Sequence, residues 1–246
     1  MCNEFRGPEA VQEELDRSLG PHYTISGMKP TSLDNPTPGP TAFATRLSEK
    51  VTERGFPSPS AWQKARPLRF DRDWRGENAD ALRTTEVRLL WAPECLYLHF
   101  HCQFRTITVF PDARADGWRY QLWDGDVAET FLQPDPSDPL VYTEFEVSPN
   151  GQWIDLAVSH GKIEELHSGL QRQVVMDEKS RWWTAQLAIP MKSLTAHFDP
   201  SVSWRSNFFR VEGQAEPRFY AAWSPTYSPS PNFHVPSAFG RLMFLP

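Results

Sequence analysis

Leu96, Leu98, Phe100, Cys102 and Phe104 alternate along the chain with Tyr97, His99, His101 and Gln103. A period of two sends the first set to one face of an extended strand and the second set to the other. The same alternation precedes it over 86–91, with Val87, Leu89 and Trp91 on one face, and Ala92-Pro93-Glu94 reads as the hairpin connection between the two. Further strand-like segments at 127–132, 141–148, 153–158, 171–176, 182–189, 204–212, 219–223 and 241–245 follow, separated by turn residues. Helical periodicity is nearly absent after residue 60. Many short strands of this kind predict an all-β chain, two antiparallel sheets packed face to face in a β-sandwich. No internal repeat is visible.

Composition narrows the reading. A length of 246 residues suits one large domain and is enough to bury a core without disulfide or metal staples. Ten Trp mark a chain that gains much area by ordering, and 23 Pro mark one rich in loops. Net charge is -6 with no long basic run, which disfavours a nucleic-acid or polybasic membrane surface. No window approaches the roughly 18 apolar residues of a transmembrane helix. Residues 1–20 carry Glu4, Glu9, Glu13, Glu14 and Asp16 and lack the apolar run of a signal peptide. On that reading the protein is cytoplasmic, or a leader was trimmed or missed. Cys95 and Cys102 fall on opposite faces of one strand and are too far apart to bridge. With no CxxC pair, a zinc site is disfavoured. Cys2 is either a lipidation cysteine or a surface thiol.

Residues 1–56 read as an N-terminal extension. Val11, Leu15 and Leu19 have helical spacing within 7–19. Pro30, Pro36, Pro38 and Pro40 make 29–41 a linker-like run, and 43–51 suits a short strand or an ordered arm. The sandwich itself is expected over 57–246.

Two long connections, 105–123 and 224–238, carry aromatics stiffened by prolines, and loops of this length are more often functional than accidental. Trp118 and Trp123 lie in or beside the first. Trp62, Trp91, Trp153, Trp183 and Trp204 fall where core packing is expected. Glu129 shares a strand face with Val127 and Phe131, an odd place for a charge without a partner. On the following strand Tyr142, Glu144 and Glu146 face one way. If the two strands are neighbours, one sheet face gathers Glu129, Glu144 and Glu146 among aromatics. Aromatic faces stack on sugar C–H groups and carboxylates accept bonds from hydroxyls, so the composition suits a carbohydrate. The same three acids could pair with Arg210 or Arg218, or Glu129 with Glu144 or Glu146 could form a glycosidase pair. Asp124 and Asp126, like Asp135 and Asp138, either offer oxygen ligands to Ca2+ or close ordinary Asx turns.

The stretches Trp123-Asp-Gly-Asp-Val-Ala-Glu129-Thr-Phe-Leu-Gln-Pro and Tyr142-Thr-Glu-Phe-Glu-Val-Ser-Pro-Asn-Gly151 resemble the family 9 carbohydrate-binding module, of the stand-alone bacterial type. So do Leu187-Ala-Ile-Pro190, Trp204 to Glu212, Trp223-Ser-Pro, and Asn232-Phe-His-Val-Pro-Ser-Ala-Phe-Gly240. The resemblance covers roughly 58–246 and implies a sandwich of DOMON-like type. It implies non-catalytic binding of plant polysaccharide or oligosaccharide, such as xylan or cellulose at the reducing end, and association with polysaccharide breakdown. Trp123 matches one of two aromatics that clamp a sugar ring, and Phe233 stands where the second is a Trp. Glu129 matches a carboxylate that bonds sugar hydroxyls, and Glu146 stands at the position of a basic sugar-contacting residue. Arg210 and His234 are further candidates for directional bonds. The resemblance also implies an extracellular or periplasmic location and the possibility of bound Ca2+. A haem module of DOMON type would draw on His99 and His101.

Overall fold

The structure is a computed structural model and describes residues 39–246. The expected helix at 7–19 and most of the Pro-rich run lie outside the described residues. The strands are β1 (Thr41–Arg46), β2 (Leu68–Phe70), β3 (Thr85–Ala92), β4 (Cys95–Gln103), β5 (Val127–Gln133), β6 (Val141–Val147) and β7 (Trp153–Ser159). They continue with β8 (Lys162–Glu165), β9 (Gln171–Asp177), β10 (Trp182–Pro190), β11 (Trp204–Glu212), β12 (Phe219–Ala222) and β13 (Gly240–Leu245). One helix, α1 (Pro59–Lys64), is begun by Ser58, whose hydroxyl accepts from the Ala61 amide at 3.1 Å.

The chain is all-β as expected, but the two sheets are not separate. One hydrogen-bonded path runs β8-β7-β6-β5-β11-β13-β1-β3-β4-β10-β9, with β12 added beside β11 and β2 beside β3. The path curls so that its two halves pack face to face. The joint is β1, which pairs in parallel with both β13 and β3. The expectation of purely antiparallel sheets fails here for a chain-order reason. A tight hairpin can only make an antiparallel pair, whereas β1 reaches β3 by a crossover through α1 and β2. The boundary expected at residue 56 therefore falls inside the sandwich, because 41–46 supplies its closing strand. Ala42 and Ala44 turn inward and are fully buried, small enough to let the halves meet. Gly240 sits at the same closure. A Cβ there would lie 2.5 Å from the Pro40 carbonyl oxygen and 2.5 Å from the Trp223 ring.

The alternation in β3 and β4 is realised. Val87, Leu89, Trp91, Leu96, Leu98, Phe100 and Cys102 enter the main core, opposite Phe208 of β11, whose ring lies 6.5 Å from that of Phe100. Tyr97 faces outward into a smaller cluster with Phe56 and Trp62 beneath α1, and the Trp62 indole donates to Gln186 Oε1 at 2.9 Å. Trp62, Trp91, Trp153, Trp183 and Trp204 are buried packing residues, as expected. Cys95 and Cys102 are free thiols.

Candidate functional site

Alternation on β5, β6 and β11 decides which side chains share a surface. Glu129 pairs with Glu146 and Phe131 with Glu144 across β5 and β6. Phe209 pairs with Glu129 across β11 and β5, and Val211 with Tyr220 across β11 and β12. On the far side of β6, Glu146 and Glu144 face Ile154 and Leu156 of β7. Directly opposed residues project to the same side. This outer face therefore carries Tyr142, Glu144 and Glu146 beside Glu129, Phe131, Phe209, Val211 and Tyr220. The conditional placement of the three acids on one face is met.

The two long loops roof that face and leave a cavity of about 380 Å³. Its lining includes Trp123, Asp124, Glu129, Phe131, Glu144 and Val211, together with Glu216, Arg218, Tyr220, Asn232, Phe233 and His234. Trp123 is half-buried on a short 3-10 turn (Leu122–Asp124) and meets Tyr120 edge-on at 5.5 Å. Gly125 follows without a side chain because a Cβ would sit 3.0 Å from the Phe110 ring. Arg218 ties this turn to the β11–β12 connection. It donates to the carbonyls of Gly213 at 3.0 Å, Trp123 at 2.9 Å and Gly125. Opposite, Phe233 stacks on Phe209 at 4.0 Å with an 11° interplanar angle. Its ring thus adheres to the sheet rather than standing across the cavity from Trp123 as a free clamp. His234 lies next to it. Its Nδ1 is 2.8 Å from the Tyr142 hydroxyl, and its Nε2 is 3.8 Å from Glu144 Oε2. Burial lowers the pKa of His234, with Glu144 opposing.

The floor is acidic. One carboxylate oxygen each of Glu129, Glu144 and Glu146 lies within 4.8 Å of the others. Both oxygens of Glu146 and one of Glu144 are buried without a hydrogen-bond partner among the described residues. At that separation two full charges repel by about 3.5 kcal/mol even at an effective dielectric near 20. The three cannot all be ionised without a compensating cation. Burial, then Glu144, pushes the Glu129 carboxyl well above its usual range against Arg218 and Arg210. Burial, then Glu129 and Glu144, does the same to Glu146.

Some expected site residues lie elsewhere. Arg210 is one residue out of register with Val211 and projects to the opposite face, into the core. There it is fully buried, lies 5.2 Å from the Trp183 ring, and donates to the carbonyls of Val127 at 3.2 Å and Val211. It is no cavity residue; Arg218 takes that place. Glu146 lies behind Glu129 and Glu144 rather than on the lining. Trp118 is buried under the Arg114 guanidinium, 3.7 Å from its ring, and does not line the cavity. Asp126 is not a metal ligand in waiting. Its two oxygens accept the amides of Thr108 at 3.1 Å and Gly213 at 2.8 Å, and it is fully buried. Asp124 lines the cavity and, among the described residues, is not one of the three acids whose oxygens gather there; burial raises its pKa. Asp135 closes an Asx turn by accepting from the Ser137 amide at 2.9 Å. The sequence offered Arg218 as an ion-pair partner of the three acids and Asn232 within a family-like stretch, neither as a lining residue, and it did not single out Tyr220. Tyr220 carried a readable signal, its strand parity with the cavity face.

Residues 83–244 match the profile of carbohydrate-binding family 9. This chain belongs to carbohydrate-binding family 9. The family 9 assignment agrees with its shape. A Bacteroides uniformis protein classed as carbohydrate-binding superposes with a TM-score of 0.66 at 17% identity, covering 84% of this chain and 99% of that one. A family 9 module from Caldicellulosiruptor kristjanssonii in complex with cellotriose superposes with a TM-score of 0.59 at 11% identity, covering 84% and 94%. The same comparison with a family 9 module of that organism in complex with glucose gives 0.58 at 11% identity, covering 83% and 95%. At these identities the likeness is one of fold. An "Extracellular protein" of Arthroderma benhamiae is 25% identical over 181 residues, which is 65% of this chain and 78% of that protein.

Proposed function

We propose that this family 9 protein binds carbohydrate non-catalytically, in the roofed cavity on the outer face of β5, β6 and β11. The observation that carries the reading is the lining itself. A half-buried indole, Trp123, stands over a floor of buried carboxylates, with the guanidinium of Arg218 and the amide of Asn232 on the rim. An apolar plate for a sugar's C–H face and directional groups for its hydroxyls are what a pyranose needs. The ligands of the Caldicellulosiruptor modules, cellotriose and glucose, support a β-glucan or related plant oligosaccharide as the ligand class. The relative described as extracellular supports a location outside the cell. A polysaccharide-degrading context and recognition of a chain end fit a cavity of this size, which holds one or two sugar units rather than a long strand.

Hydrolysis is disfavoured by the placement of the acids. A glycosidase pair flanks the scissile bond, whereas Glu129, Glu144 and Glu146 rise together from one floor. The test is a panel of cello-, xylo- and mixed-linkage oligosaccharides, read by calorimetry and by assay of new reducing ends. Saturable binding without new ends is expected. Turnover lost in Glu129→Gln would replace the binding reading with an enzymatic one, and no binding to any glycan would remove it.

A further inference from the structure

We infer that the ligand of this cavity carries a positive charge, and that the preferred sugar is an amino sugar whose ammonium group docks on Glu129 and Glu144, with Glu146 buried behind them. The inference rests on the carbohydrate reading and names the substrate class of the same cavity. Glu129 and Glu144 line the cavity with Glu146 buried behind them, one oxygen of each lies within 4.8 Å of the others, and one oxygen of Glu144 and both of Glu146 are buried with no hydrogen-bond partner among the described residues. A fold that places such groups around an open cavity leaves their neutralisation to protons or to whatever enters.

The surroundings favour an ammonium over a bare metal ion. Three N–H donors on an sp3 nitrogen reach acceptors at about 2.8 Å, which spaces those acceptors about 4.6 Å apart. Ca2+ takes six to eight oxygens. Here the groups flanking the acids on the same face are Phe131, Phe209, Ile154 and Leu156. The nearest hydroxyl, that of Tyr142, is engaged with His234. The charged and titratable groups facing the cluster are Arg218 from the β11–β12 connection, Asp124 from the Trp123 turn, and His234 from the loop before β13, with Arg210 behind the sheet. Arg218 offsets one of the floor's negative charges beside Glu129, and the remainder draws a cation. The hydroxyl-bearing remainder of the ring then lies against Trp123, Arg218 and Asn232.

Burial raises the Glu129 carboxyl well above its usual range, and an ammonium beside it favours the ionised form, so protons leave as the amino sugar enters. A neutral sugar, which accepts hydrogen bonds from protonated acids as readily as it donates to ionised ones, releases none. Titration calorimetry with tetramers of glucosamine, N-acetylglucosamine and glucose, each in two buffers of different ionisation enthalpy, separates these cases. At pH 5.5, where the glucosamine amines are largely protonated, the glucosamine tetramer is expected to bind at least about tenfold tighter than the glucose tetramer, the ratio supplied by one charge-assisted hydrogen bond, with net proton release. Glu129→Gln and Glu144→Gln, each checked for a native melting transition, are expected to reduce that preference to less than about threefold. Equal or weaker binding of the glucosamine tetramer overturns the inference and leaves the carbohydrate reading in place. So does proton release on titration with CaCl2 or MnCl2 that blocks amino-sugar binding. Failure of all three tetramers overturns both.

Discussion

Glu146→Gln isolates the electrostatics of the cavity floor. The side chain is fully buried, its isostere fits the same space, and burial, then Glu129 and Glu144, pushes its carboxyl well above the usual range. An unfolded Glu has lost its proton by pH 5, since its ordinary pKa is about 4.3. The folded protein thus holds protons that the unfolded chain has released, and linkage fixes the sign. Stability falls as pH rises above about 4.3, by about 1.4 kcal/mol per pH unit for each proton retained. The Gln variant has no such proton. Its stability relative to wild type is therefore expected to improve with pH. For a protein of this size, each pH unit over which the proton is retained, about 1.4 kcal/mol, corresponds to a change of roughly 3–6 °C in the difference between the two melting temperatures. The amide starts from a deficit at pH 5, because it brings its own unsatisfied donors, but the slope is independent of that offset. Melting curves of both proteins every half unit from pH 5 to pH 8 give the measurement. Parallel curves would refute the proton-retaining floor.

Other parts of the account are open to single experiments. Arg218→Ala removes three hydrogen bonds that hold the Trp123 turn. A loss of about 2–4 kcal/mol in stability is expected by denaturant titration, with sugar affinity falling more than in a surface Arg control. Gly240→Ala places a Cβ 2.5 Å from the Pro40 oxygen and from the Trp223 ring, so overpacking should cost at least about 1–3 kcal/mol, read as a lower urea midpoint. A chain beginning at residue 57 lacks β1 and exposes the facing edges of β13 and β3. It is expected to aggregate or to show no cooperative melting transition, whereas a folded 57–246 fragment would show that β1 is dispensable.

The strand content was readable because β3, β4, β5, β6 and β11 obey the period of two, and parity alone brought Glu129, Glu144 and Glu146 onto one face. Parity also held the correct answer for Arg210, which is out of step with Val211. Its charge suggested a site, but the rule that polar side chains avoid the core gives way when carbonyls and an indole receive a guanidinium. The closure through β1 was not legible. Parallel pairing leaves no local turn signal, and 41–46 is too short and mixed to be told from an arm. The tie that Arg218 makes to the Trp123 turn, beyond a pairing with the acids, was hidden for a similar reason, since its partners there are carbonyls on loops whose folding the sequence does not spell out. The oxygen-rich turn at Asp124 and Asp126 looked like a metal loop because sequence shows oxygens and not the amides that occupy them.

The central claim is that a sugar ring lies against Trp123 above the carboxylate floor, and it is tested most directly by comparing wild type with Trp123→Ala by titration calorimetry against the tightest oligosaccharide of the panel. The account predicts one saturable site per chain and a loss of about 2 kcal/mol in the variant, roughly thirtyfold in affinity. The melting temperature should stay near that of the parent, because the indole is only half-buried. Unchanged affinity in a folded Trp123→Ala protein would contradict it.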